Sequence, residues 1–368
     1  QWVPLESRGY ARHFKLLREA LIPMPPLAEQ HRIVAKVDEL MKLCDELEAA
    51  QAKRERRRDR LVAATLHGLN NGKTENENGD SFSFEDSARF YFNHLPSLTT
   101  RAEHIQQLRQ AILNLAVRGK LVAQDPEDEP AIELLNRIQV YKEQMVKEGH
   151  LRKGKPLTPI LEQDIPFSIP KNWVWVKIGN LSLLTEYGTS VKSLSSDKGV
   201  PVLSMGDIQN GHIILNGHKK VPTSIDDLPQ LFLKNMDLLY NRTNSAELVG
   251  KTGIFIGKDD SFTFASYLIR IRFSRERTNP LYANLAMNSP YFRETQIIPE
   301  LKQQCGQANV NGTKLKNMLV PLPPFTEQHR IVAKVAELMA LCDEMEGRIT
   351  TNTTTSRRLF EATLQEAL

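Results

Sequence analysis

The sequence predicts an α+β protein, with one strand-rich α/β domain attached to long heptad-patterned helices. Three observations carry that reading. The stretch Pro25–Cys44, PPLAEQHRIVAKVDELMKLC, returns as Pro323–Cys342, PPFTEQHRIVAKVAELMALC. Apolar residues in both copies recur at alternating spacings of four and three, the seam of a coiled coil rather than the broader stripe of a helix lying on a core. Between the copies, from Ile165 to about Asn317, short apolar runs alternate with Gly, Asn and Asp, the texture of strands and turns.

The first long helix is announced by its start. Pro25 and Pro26 stop whatever precedes them, and Glu29 lies in the first turn, where the helix dipole favours an anion. Ile33, Val37, Leu40, Cys44 and Leu47 form the seam, which turns polar at Gln51, Arg54 and Arg58 and resumes at Leu61 and Thr65. Gly68 and Asn70-Asn71-Gly72 mark its end. From Ala28 to Leu66 such a rod is roughly 60 Å long at about 1.5 Å per residue, and it needs a partner along its length. The second copy repeats the seam at Ile331, Val335, Leu338, Cys342 and Met345. A gapless shift of 298 residues lays Ile22–Glu48 on Val320–Glu346, and Arg60, Leu61, Ala64, Thr65 and Leu66 on Arg358, Leu359, Ala362, Thr363 and Leu364. Length is kept in the middle of the rod where sequence is not, as a spacer requires.

Residues 71–95 are polar and short of aliphatic periodicity, and read as a flexible linker with a weak aromatic patch at Phe82, Phe84, Phe90, Tyr91 and Phe92. A helix follows from about Thr100 to Gly119, with Ile105, Leu108, Ile112, Leu115 and Ala116 on one face. After a turn at Asp125–Pro130, a second runs from about Ala131 to Glu148. Strands are expected at Trp173–Ile178, Val200–Leu203, Ile213–Leu215, Gly253–Ile256 and Tyr267–Phe273, with hairpin turns at Asn210-Gly211 and Asn216-Gly217. Helical pattern resumes near Asn279–Glu300. The resulting boundaries are a tail at 1–24, a long helix at 25–70, a linker at 71–95, a helical region at 96–155, the α/β domain at 156–320 and the second long helix at 321–368.

Composition sets bounds on function. The chain of 368 residues is 40% hydrophobic and 25% charged with a net charge of +4, and its mean hydropathy is -0.39. That balance permits nucleic-acid binding without demanding it. No run of about 18 apolar residues and no secretory signal occurs, so a membrane partner is not expected. Cys44, Cys305 and Cys342 are odd in number and lack CxxC spacing, which fits a reduced, cytoplasmic setting without a zinc site or disulfide framework.

No catalytic motif emerges. Gly250-Lys251-Thr252 lacks the upstream glycine of a phosphate loop, and neither HExxH nor GxSxG occurs. Asp207 and Asp237 each read as a solvated turn residue. Glu29, His31 and Arg32 in the first copy match Glu327, His329 and Arg330 in the second, which suits a duplicated docking surface better than two catalytic histidines. The α/β domain instead offers loops suited to reading DNA. These are Tyr187, Thr189, Ser190 and Lys192; Lys219 and Lys220; Asn241, Arg242 and Asn244; Lys251; and Gln304 and Gln307. Arg addresses guanine bidentately, Asn and Gln address adenine, and Lys with hydroxyls holds phosphates. A coiled-coil assembly protein whose α/β domain binds protein, or an enzyme using Asp207 or His218, are the competing readings.

The doubled PPLAEQHRIVAKVDEL/PPFTEQHRIVAKVAEL, LRQAILNLAVRGKLVAQDPEDEPAIELL at 108–135, IPKNWVWVKIGN at 169–180, ELVGKTGIF at 247–255 and QANVNGTKLKNMLVPLPP at 307–324 span nearly the whole chain. In these pieces and their order the sequence resembles the specificity subunits of type I restriction–modification enzymes. The resemblance implies a non-catalytic adaptor with two target-recognition domains, each reading half of a split double-stranded DNA sequence, held apart by long helices in an antiparallel coiled coil. It implies two modification subunits that bring S-adenosylmethionine, and two restriction subunits that use ATP and Mg, with no cofactor on this chain itself. Only one recognition domain is complete here. Leu17–Ile22 align with Leu315–Val320, so residues 1–24 read as the tail of a first recognition domain, and a homodimer of this form is expected to imitate one full subunit.

Overall fold

The computed structural model describes residues 23–71, 74–75, 81–82, 84–194, 198–304 and 307–367. The expected tail at 1–24 therefore lies almost wholly outside the described residues, as do Cys305 and the side chains of Phe82, Phe84, Gln304 and Gln307. The chain divides into two compact units, residues 1–61 and 62–368.

In the first unit the described residues are one helix. Helix α1 (Leu27–Asn71) runs through Gly68 and ends at the asparagine pair. Its start is closed by the carboxamide of Gln30, whose Nε2 donates to the Pro25 carbonyl at 2.8 Å. A Lys36–Glu39 pair at 2.9 Å and an Arg58–Glu55 pair at 2.5 Å lie along it at helical spacing.

The second unit opens with the end of α1, where Val62, Leu66 and Leu69 are buried in the main core. The expected linker gives way there to a helix, α2 (Phe84–Leu98), which keeps Pro96 in its last turn. The polar composition hid one anchoring side chain, since Tyr91 is fully buried while Phe90 and Phe92 stay exposed. Helices α3 (Ala102–Val117) and α4 (Ala131–Lys147) stand where periodicity placed them. Helix α3 stops at Gly119, whose φ of +68° and contact with Pro170 leave no room for a Cβ.

The α/β part is built on β1 (Val174–Lys177), β2 (Ser182–Tyr187), β3 (Val200–Leu203), β4 (Ile208–Gln209), β5 (His212–Ile213), β6 (Lys220–Val221), β7 (Leu238–Asn241), β8 (Thr243–Asn244), β9 (Thr252–Ile254), β10 (Thr263–Phe264), β11 (Leu268–Phe273), β12 (Lys302–Gln304), β13 (Gln307–Asn309) and β14 (Leu319–Leu322). A six-stranded sheet has the order β2-β11-β7-β9-β5-β4, in which only the β9–β5 pair is parallel. Two three-stranded sheets, β10-β3-β6 and β8-β13-β12, flank it, and β14 pairs with β1.

Asn210 and Gly211 make the expected hairpin turn between β4 and β5, both with positive φ, as a two-residue turn requires. Asn216-Gly217 does not: β5 and β6 belong to different sheets, so Gly217 turns a crossing rather than a hairpin. The helix expected at Asn279–Glu300 breaks into α5 (Pro280–Met287) and a chain of short turns. Pro290 cannot continue the ladder, and the Ser289 side chain caps a new start by accepting from the Phe292 amide. Helix α6 (Gly312–Asn317) leads into β14 and then α7 (Phe325–Ala367), the second long helix. Helix α7 packs on α3 and α5, burying Ile331, Val335 and Cys342 in the core that also holds Ile105, Leu108 and Trp173. Two long helices joined to mixed sheets make the fold α+β.

Candidate nucleic-acid interface

Tyr187 ends edge strand β2, with its ring half exposed. Its hydroxyl accepts the Gly312 amide at 2.7 Å, which pins it to the start of α6. The Arg242 guanidinium lies over that ring, 4.8 Å from the centroid. It also donates to the Ser266 carbonyl at 3.3 Å and reaches the Asn309 side-chain oxygen at 3.5 Å. Thr243 donates to the same oxygen at 3.2 Å. Beneath them β8 pairs with β13, and β13 with β12, with Gln304 opposite Gln307 in register. Three loops far apart in sequence are thus joined into one polar edge around Tyr187, Arg242, Asn244 and Asn309.

A strap, residues 188–194, leaves this edge. Gly188 passes so close to the Phe264 carbonyl that a Cβ would overlap it. Thr189 then donates its amide to the same carbonyl at 2.9 Å. Leu194 and Lys220 exchange backbone hydrogen bonds of 2.9 Å, so the strap ends beside β6. Ser190 and Lys192 are exposed along it, and Lys219 is exposed where it ends. Lys251 is exposed at the close of the 242–250 loop.

Two of the candidate DNA-reading residues lie inside the fold. Asn241 is 2% exposed, its backbone paired with Gly250 and Lys251, so it lies under the face rather than on it. Thr189 is likewise buried, its hydroxyl accepting the Val191 amide at 3.1 Å. Thr189 adjoins the exposed Ser190 and Asn241 the part-exposed Arg242, and a one-residue difference in facing is invisible without the register. Asn309 was missed as an individual residue, although it lies in the QANVNGTKLKNM stretch.

The acidic candidates also part ways. Asp207 caps its own turn by accepting from the Ser204 amide at 2.6 Å, and stands 3.5 Å from the buried His218 ring. Asp237 is no solvated turn residue: it is 1% exposed and takes a bidentate pair from Arg272 at 2.6 and 2.5 Å. No group of three or more metal-ligating side chains is gathered among the described residues, nor is any described helix long and apolar enough to cross a membrane.

The two copies of the repeat differ in surroundings. In the second, the buried Glu327 carboxylate accepts from the Trp173 indole at 2.9 Å and from Gln124 at 2.6 Å. Burial pushes its pKa above the usual carboxylate value, against the pull of those two donors. Gln328 accepts the Asn279 amide at 2.9 Å and donates to the Pro323 carbonyl at 3.0 Å. His329 is exposed, edge-on to Phe325 and 3.2 Å from the Asn279 side chain. Arg330 grips Asp128 with bonds of 3.1 and 2.5 Å, which hold that carboxyl below its ordinary range. Leu338 and Met345 are half-buried below them. In the first copy Glu29, His31, Arg32, Ile33, Val37, Leu40 and Leu47 are all exposed.

A family model for the type I restriction modification DNA specificity domain matches residues 170–352, the span from the first strand to the middle of α7. The Escherichia coli type I restriction enzyme EcoAI specificity subunit is 33% identical over 94% of this chain. The chain belongs to the type I specificity subunits. The Escherichia coli EcoEI specificity subunit is 31% identical, also over 94% of the chain. This specificity-subunit chain spans 58% of the length of each of those two relatives. Among solved structures, the HsdS subunit from Thermoanaerobacter tengcongensis covers 84% of this chain and 67% of its own, at a TM-score of 0.40 and 15% identity, too loose a likeness to place any element.

Proposed function

We propose that the chain reads one half of a bipartite duplex DNA target and carries methylating and restricting subunits, doing no chemistry itself. The observation that supports this best is the joining of the Tyr187, Arg242 and Asn309 loops into one polar edge with exposed lysines beside it. Arg242 is part-exposed and preset by its aromatic platform, which suits bidentate contact with guanine. Ser190, Lys192, Lys219 and Lys251 would hold phosphates and set register without reading sequence. S-adenosylmethionine, ATP and Mg would then reside on the partner subunits, and the whole assembly in the cytoplasm. Two long helices of similar length would space two half-sites and two identical partners.

Co-expression with a modification subunit, followed by mapping of methylated adenines in host DNA, tests the reading. Methylation that depends on this chain, and on Arg242, is expected; Arg242→Ala should lose about 1–3 kcal/mol of discrimination at one base position. Methylation indifferent to the chain would sink the proposal. The exposed first-copy seam gives some support to a coiled-coil assembly protein instead. Duplex binding that weakens steeply with salt separates the two, because only phosphate neutralisation releases counterions.

A further inference from the structure

Tyr187 ends the edge strand of the six-stranded sheet and Arg242 follows its inner strand β7, while Lys219 sits beside β6 on the β10-β3-β6 sheet, and the two sheets share no ladder. One buried side chain reaches between them. Arg270 projects from β11 opposite Glu186, the residue before Tyr187, and is 1% exposed. Its guanidinium pairs with Glu186 on its own sheet. The same group donates to the Phe232 carbonyl at 2.6 Å and the Gln230 carbonyl at 2.8 Å. Those carbonyls bracket Leu231, whose own carbonyl accepts from the Thr263 hydroxyl of β10 at 3.1 Å. Arg270 also lies over the ring of Phe264, the other β10 residue, 5.5 Å from its centroid. Asp237, itself held by Arg272, stands 3.9 Å away.

Burying a guanidinium is costly, and a well-packed apolar residue of similar volume often serves stability as well or better. A charge kept at such a place asks for a role in geometry. We propose that Arg270 is a positioning residue, fixing the Lys219-bearing sheet against the Tyr187–Arg242 edge so that one duplex meets both. Arg270 touches no DNA. It acts through Glu186 on the start of the strap and through the 230–232 carbonyls on the second sheet. The inference rests on the DNA-reading function proposed above.

The test is a double-mutant cycle read as salt dependence, on the purified full chain with a mixed-sequence duplex, alongside a melting curve for each variant. In the wild type the logarithm of affinity falls linearly with the logarithm of salt, and Lys219→Ala reduces that slope by about one. Arg270→Met keeps the volume and removes the tie, and is expected to lower the slope by about one to two. On that background Lys219→Ala should take away nothing more. A residue that merely supported the fold would leave the two effects additive. Additive slopes, or an Arg270→Met slope equal to the wild type, overturn the proposal. Glu186→Gln loosens the same tie at a partly exposed site; it should blunt the Lys219→Ala effect in the same direction, and decides the matter if Arg270→Met melts below the assay temperature. A wild type with no salt-dependent duplex binding would overturn the DNA-reading function itself, and the role of Arg270 with it.

Discussion

The two copies of the EQHR helix are nearly one sequence in two environments. In the second copy the beginning is buried: Ile331 is 0% and Val335 2% exposed. In the first copy the matching Ile33 and Val37 are 48% and 50% exposed. At the other end the relation reverses. Val62 and Leu66 of the first copy are buried, whereas their equivalents Phe360 and Leu364 are 66% and 47% exposed. What is covered in one copy is bare in the other. Contact with the core is therefore made by the start of the second copy and by the end of the first.

The comparison can be broken most directly with identical substitutions in both copies. Ile331→Ala should cost about 2–5 kcal/mol in thermal or denaturant unfolding, against less than about 0.5 kcal/mol for Ile33→Ala. Equal effects would mean the two environments are alike. Glu327→Ala strands the Trp173 indole and the Gln124 amide and should cost about 1–3 kcal/mol, while Glu29→Ala leaves the melt unchanged.

A third check is the pH dependence of folding, where two neighbouring carboxyls carry opposite signs. Asp128 has a depressed pKa, so the stability it contributes is present above its unfolded value and lost as pH falls through the folded one. Glu327 has a raised pKa, so the folded state takes up its proton more readily than the unfolded, and stability is lost as pH rises from the unfolded value through the folded one. Asp128→Asn should flatten the first dependence and Glu327→Gln the second. Smallest in its effect on melting is Val37→Asp, expected to leave unfolding unchanged while weakening self-association or capture of the modification subunit in sedimentation. Unaltered assembly would deny the exposed seam a docking role.

Much of the fold was legible because it rests on period and punctuation. Helix α3 was found from its one apolar face, α4 from the pattern that follows the Asp125–Pro130 turn, and β1, β3 and β11 from short apolar runs. What escaped was set by register and distance. Strand β7, buried along its whole length, ends in Tyr240 and Asn241, and nothing local says that Asn241 faces inward. Asp237 looked like a turn residue because its partner Arg272 lies 35 positions away. The site was legible as a set of loops but not as a face. The β8-β13 pairing brings Asn309 under Arg242, and the strap carries the chain from Tyr187 to the side of Lys220. In the repeat, sequence identity concealed a difference in burial, because the partners of Glu327 come from Gln124 and Trp173, far from the motif itself.

The glutamine at the head of each long helix has a consequence of its own. Gln328 holds the Pro323 carbonyl while packed in the core, and Gln30 holds the Pro25 carbonyl at nearly the same length while only half-buried. The first turn of the first copy therefore already has the local closure that the second copy has inside the core. A surface already frozen in its final geometry loses little conformational freedom on capture, so more of the contact energy appears as affinity. Gln30→Ala should accordingly slow recruitment while leaving the side chains at the interface itself untouched.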